Sequence, residues 1–182
     1  MTAHETAGLA ASGAVAGLCP VTEANLGDGP FNGPAWLSAG GQFGIGSDSN
    51  VRISLTEELR TLEYSQRQRD LSRNVMTCGD GSVGQAIYLA AARGGAQALG
   101  RKSGMIAEGC LADLVAVDPS HPSLCALQPH QLLDGLAFAA PDGVVTDVWS
   151  AGRHMVRRGH HVAHNRIVGA WRRVVRGLVG TL

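Results

Sequence analysis

The sequence has no run of about 18 consecutive apolar residues, so it predicts no transmembrane helix. Its opening, Met1-Thr2-Ala3-His4-Glu5, has no basic stretch followed by an apolar core, and no secretory signal is expected. The four cysteines, Cys19, Cys78, Cys110 and Cys125, form no CxxC pair and no dense framework. That excludes a disulfide scaffold and points to reduced thiols in a cytoplasmic protein. The formal net charge is zero, so no global field draws the chain to nucleic acid or to a membrane, and neither partner is expected. Lysine is nearly absent: Lys102 stands alone among 15 basic residues. The seven histidines, at 4, 121, 130, 154, 160, 161 and 164, include no HxH and no HExxH, so they read as structural or exposed. No GxSxG, P-loop or GxGxxG context occurs. Gly79-Asp80-Gly81-Ser82-Val83-Gly84 is glycine-rich, but no strand precedes it, which argues against a phosphate cradle.

What is present is a folded α/β chain. At 182 residues and 45% apolar content it is too apolar to be disordered, and it is long enough for one domain or parts of two. Thr2 and Glu5 make a capping box that opens a helix to about Ser12, stopped at Gly13. Residues 14–20 form a short apolar run closed by Pro20, the pattern of a fully buried parallel strand. A long polar loop, residues 21–34, follows, and loops of that length tend to carry function. A brief helical stretch at 35–40 leads to a second strand, 42–46. Ser54 and Glu57 cap a helix to about Arg73, with Leu55, Leu59, Leu62 and Tyr64 as its apolar stripe. Asp80-Gly81-Ser82 is a turn before a helix from Val83 to about Leu99, which Gly94-Gly95 weakens. Strands alternating with helices in this order predict a parallel sheet.

The pattern then changes. Residues 113–118, 144–150 and 154–162 read as strands of a small antiparallel sheet, with a hairpin turn at Ala151-Gly152-Arg153. The last helix, 166–182, places Ile167, Val168, Trp171, Val174, Val175, Leu178, Val179 and Leu182 on one face, a stripe that must be buried against something. From Ala151 onward there are seven arginines and no acidic residue, which reads as a solvated helix face or as a basic nucleic-acid tail.

The most informative stretch is Gly44-Ile45-Gly46-Ser47-Asp48-Ser49-Asn50. An apolar run ends in a carboxylate, at the strand tip where (β/α) barrels place catalytic side chains. Asp48 there can ligate a metal or take a proton from attacking water; equally, Asp and Ser form Asx turns and caps at such places. Glu23, in Thr22-Glu23-Ala24-Asn25-Leu26-Gly27-Asp28-Gly29, stands just past the first strand, where it can meet a polar substrate or belong to a surface loop without a role.

Those two stretches, with Glu57-Glu58-Leu59-Arg60-Thr61-Leu62-Glu63-Tyr64, resemble the formimidoylglutamate deiminases of the amidohydrolase superfamily. Ala112-Asp113-Leu114-Val115 is similar to a strand of the β-sandwich that accompanies many amidohydrolase barrels. The resemblance implies the C-terminal part of a metal-dependent (β/α)8 barrel at residues 1–103, a β-sandwich segment at 104–165 and a C-terminal amphipathic helix at 166–182. It implies zinc-dependent hydrolysis of N-formimino-L-glutamate to N-formyl-L-glutamate and ammonia in histidine degradation. It also implies Zn2+ as cofactor, a small-molecule substrate, a cytoplasmic enzyme and a homodimer. Asp48 matches the eighth-strand metal ligand and proton shuttle, while Glu23 and Asn25 match a substrate-shaping loop. The family's metal histidines belong to earlier strands, and no position here matches them; a complete barrel takes roughly 250 residues. The expectation is therefore a fragment, inactive by itself. Two other readings stay open: a truncated non-catalytic remnant, and an amidohydrolase or deaminase with another substrate.

Overall fold

The computed structural model describes residues 1–50, 52–77 and 81–180. Val51, Cys78, the Asp80 of the expected turn and Leu182 of the last stripe lie outside the described residues. Helix α1 (Ala3–Ala11) opens under the expected capping box. Thr2 Oγ1 accepts from the Glu5 amide, and the Glu5 carboxylate accepts from the Thr2 amide at 2.7 Å. There follow β1 (Val15–Leu18), α2 (Pro20–Leu26), α3 (Gly33–Ser38), β2 (Gln42–Ile45), α4 (Leu55–Asp70) and α5 (Val83–Ala98). β1 and β2 pair in parallel, from Val15 against Gln42 to Leu18 against Ile45.

Two expectations fail here. Residues 21–34 are not one long loop, because α2 occupies residues 21–26 and α3 begins at Gly33. Pro20 does not only end a strand. It sits in the first turn of α2, where its missing N–H costs nothing, and Gly27 closes the helix at φ 74°. Nor is β1 fully buried: Leu18 is buried, but Gly17 is exposed. Among the described residues β1 has a single strand neighbour, so one edge lies open.

The core gathers Leu18, Phe43, Leu59, Leu62, Met76, Val83, Ile87, Ala91 and Ala137. α5 lies across β2 so closely that a Cβ on Gly94 would overlap the backbone carbonyl of Phe43. The glycine that weakens α5 locally is what allows this approach. Of the expected α4 stripe, Leu59 and Leu62 are buried, while Leu55 and Tyr64 are exposed. Glu58, Glu63 and Gln66 take the remaining buried positions, at the same i, i+3, i+4 spacing.

The second half contains β3 (Leu114–Val117), α6 (Leu132–Phe138), β4 (Val145–Ser150), β5 (Arg153–Arg157), β6 (His160–His161) and α7 (His164–Val179). The four strands form one antiparallel sheet in the order β3-β4-β5-β6. Ala151 and Gly152, at φ 48° and 78°, make the expected hairpin turn. The expected strand 154–162 is interrupted, because Arg158 and Gly159 turn the chain at φ 49° and 76° and split it into β5 and β6. Helix α6 has no counterpart in the sequence reading. It joins the halves: Asp134 accepts from the Gly84 amide at 2.7 Å and from the Ser82 hydroxyl, and Arg60 Nε donates to Ala137 O at 2.9 Å. Below it, Asp142 accepts from the hydroxyls of Ser54 and Thr56 at the start of α4. α7 contributes no buried residue, and Trp171 is 63% exposed, so the described residues leave its apolar stripe uncovered.

Candidate active site

Because β1 and β2 run in parallel and in register, they end at the same level. The Gly46 amide donates to Leu18 O at 2.9 Å across the last rung. Beyond that rung β1 runs through Cys19 into α2, and β2 runs through Gly46 into the turn that holds Asp48. This end of a parallel sheet is where α/β proteins bind ligands.

Two side chains from α2 tie these segments together. The Thr22 hydroxyl donates to Ser47 O at 3.1 Å, and Asn25 Nδ2 donates to Asn50 Oδ1 at 3.2 Å. Asn50 Nδ2 in turn donates to Arg52 O at 2.8 Å. The turn between them puts Asp48 at φ 48°, a left-handed backbone that Asp tolerates better than most residues.

Asp48 itself is exposed, as is Asn25. Glu23 is half-buried, and its Oε1 accepts from the Cys19 amide at 2.8 Å. Two cavities meet at Glu23. One, of about 530 Å³, runs along the open edge of β1 past Asp28, Phe31 and Trp36. The other, of about 500 Å³, lies between α2 and α4 and reaches Arg69. Asp48 lines neither. The sequence-predicted residues are thus brought to one end of the sheet, but only Glu23 faces a described cavity.

Two further residues belong to this cluster. Cys19 stands at the tip of β1; burial pushes its thiol up, and the nearby carboxylates of Asp48, Glu58 and Glu23 push it the same way. Glu58, on α4, is 1% exposed. One oxygen accepts from the Val21 amide at 2.8 Å, and Oε1 has no hydrogen-bond partner. Burial raises its carboxyl above the usual range against the opposing pull of that amide, and Glu23 and Glu57 raise it further. Sequence reasoning passed over both. The signal for Glu58 was its spacing, one residue before Leu59 and four before Leu62, on the buried face of the helix.

The described residues do not make a metal centre. Among them no group of three or more His, Cys, Asp or Glu side chains stands close enough to hold an ion. A zinc site takes about three protein ligands, and Asp48 is one strand-tip carboxylate.

A family pattern, the amidohydrolase family, matches residues 2–155. The chain belongs to the amidohydrolase family. Formimidoylglutamate deiminase of Pseudomonas aeruginosa is 48% identical over 172 residues, which are 94% of this chain and 38% of that protein. The crystal structure of an amidohydrolase from Brucella melitensis superposes with a TM-score of 0.90 at 43% identity, covering 98% of this chain and 39% of that one. An adenosine deaminase from Xanthomonas campestris with bound zinc superposes with a TM-score of 0.86 at 28% identity, covering all of this chain and 41% of that one. The chain thus spans about two fifths of the length of the relatives it matches. Its α/β architecture is the one these family members share. Among the described residues no helix is long and apolar enough to cross a membrane.

Proposed function

We propose that this chain is the C-terminal part of an enzyme that hydrolyses N-formimino-L-glutamate to N-formyl-L-glutamate and ammonia. The observation that carries the proposal is the 48% identity to a formimidoylglutamate deiminase over 94% of the chain. In this reading residues 1–103 complete a (β/α)8 barrel, residues 104–165 contribute to its β-sandwich companion, and residues 166–182 close the chain as a helix. The zinc that belongs to the reading needs ligands from polypeptide beyond this chain, because the described residues do not fit it alone.

The chemistry assigned to this chain's own residues is proton handling and substrate placement. Water adds to the formimino carbon and a C–O bond forms. Asp48 accepts one proton from the attacking water and delivers it to the imino nitrogen, leaving a tetrahedral carbon that carries a hydroxyl and an amino group. It then passes the hydroxyl proton to that same nitrogen. The C–N bond breaks, ammonia leaves, and the formyl C=O remains. Glu23 and Asn25, on α2, shape the pocket beside that carbon. Asp48 is exposed in this chain, and in the proposal the preceding strands of the barrel face it across the active site.

The test is a chimera in which this chain replaces the C-terminal 38% of the Pseudomonas enzyme. Ammonia release from N-formimino-L-glutamate, with stoichiometric zinc, supports the proposal. A folded, zinc-loaded chimera that deaminates adenosine and leaves formiminoglutamate untouched would overturn it.

A further inference from the structure

We propose that Glu58 is a positioning residue: its buried carboxylate clamps the first turn of α2 and so sets where Glu23 and Asn25 stand. The importance of those two residues rests on the function proposed above; the clamp itself rests on geometry alone.

A helix start leaves its first amides without acceptors inside the helix, and they are normally met by a side-chain cap. α2 has none. Its N-cap is Cys19, whose side chain makes no capping hydrogen bond, and Pro20 brings no N–H. Two carboxylates take over. Glu23 Oε1 accepts from the Cys19 amide, from within the helix. Glu58 accepts from the Val21 amide at 2.8 Å, from α4, 37 residues along the chain. With seven residues, α2 is too short to hold its shape without outside contacts. Glu58 is therefore the external anchor of its entrance, and what it anchors extends further: Thr22 holds Ser47 O and Asn25 holds Asn50. A shift of α2 is passed on to the turn that carries Asp48.

Glu58 is almost wholly buried, and Oε1 is left without a partner, a costly arrangement for a charged group. A glutamine could offer the same acceptor to Val21 without burying a charge.

The experiment compares Glu58→Gln and Glu58→Ala with the parent chain by amide NMR and hydrogen exchange, with thermal melting measured beside it. In E58A the Val21 amide proton moves upfield, and exchange of the Val21, Thr22 and Glu23 amides speeds up at least tenfold. The Asn25 and Asn50 side-chain resonances shift, and amides in the middle of α5 keep their rates. In E58Q the Val21 amide and both asparagine resonances return toward the parent positions. An unmoved Val21 amide in E58A, or identical local spectra for E58A and E58Q, would overturn the clamp. In the chimera described above, E58A raises KM for N-formimino-L-glutamate at least fivefold with kcat within twofold, and E58Q restores KM. An unchanged KM in E58A would overturn its role in positioning. A parent chimera without deiminase activity counts against the proposed function, while the clamp is still decided by the NMR spectra of the chain itself.

Discussion

The hydroxyl of Thr22, in the first turn of α2, donates to the carbonyl of Ser47, the residue before Asp48, at 3.1 Å. The bond joins two segments that lie 25 residues apart in sequence and leave neighbouring strands at the same height. Replacing Thr22 by Val keeps the side-chain shape and removes the donor. The expected cost is about 1 kcal/mol, the usual net worth of one such bond. Chemical denaturation measures it, and resonances of residues 46–50 should move while those of the β3–β6 sheet do not.

Gly94 should be intolerant of any side chain. In an exposed helix Gly→Ala gains roughly 1 kcal/mol from helix propensity. Here the new methyl group would press on the Phe43 carbonyl, and the backbone of β2 has to move. Gly94→Ala is expected to destabilise by about 2 kcal/mol net, as overpacked sites do. Gly95→Ala, one residue on, meets nothing within 4 Å and should be neutral or stabilising. Equal effects at the two positions, read by melting temperature, would contradict the packing argument.

Glu63 is a fully buried carboxylate with its acceptors in use. It takes hydrogen bonds from the Val75 and Met76 amides at 3.0 and 2.8 Å and pairs with Arg67 Nε at 2.6 Å. Glu63→Ala leaves two amides and a guanidinium without their partner, for an expected loss of about 3 kcal/mol. Arg67→Ala should cost less, because the amides keep their acceptor. Urea titrations of the two variants give the order.

On the β-sheet, Asp147 accepts from His154 at 2.7 Å, and the His154 ring stacks on Trp149 at 4.4 Å. The His154 hydrogen bond holds the Asp147 carboxyl below the ordinary carboxylate range. A carboxyl depressed in the folded state adds stability above its unfolded pKa, near 3.9, and loses it as pH falls through the lower folded value. Acid unfolding should therefore steepen below about pH 4 in the parent chain. Asp147→Asn should flatten that limb, and an unchanged acid limb would count against the pair.

Several features were legible because they depend on neighbours in sequence: the Thr2–Glu5 box, the strand–helix alternation up to α5 and the Ala151-Gly152 turn. The tip of β2 was legible for the same reason, an apolar run ending at Asp48. The failures share a different cause. Pro20 was read as a stop, although proline opens a helix as readily as it closes a strand. Arg158 adopts a left-handed turn that an arginine does not advertise. α6 is held by its own Asp134 reaching to the Gly84 amide and by Arg60 reaching in from α4, so no local pattern announced it. Glu58, Glu63 and Gln66 are polar and so stand outside an apolar stripe, yet their spacing with Leu59 and Leu62 puts them inside. The hydrogen bond from the Val21 amide to Glu58 joins α2 to α4 and is visible only once the chain is folded.

The role of Asp48 is tested most directly by one substitution in the chimera that carries this chain. Ammonia release from N-formimino-L-glutamate is followed for the parent and for Asp48→Asn, with zinc content and melting temperature measured on both. Proton transfer of this kind contributes typically 10²–10⁴-fold, so the variant is expected to lose at least about a hundredfold in kcat. An Asp48→Asn chimera that folds and turns over at the parent rate would contradict the assignment of Asp48 to the chemistry.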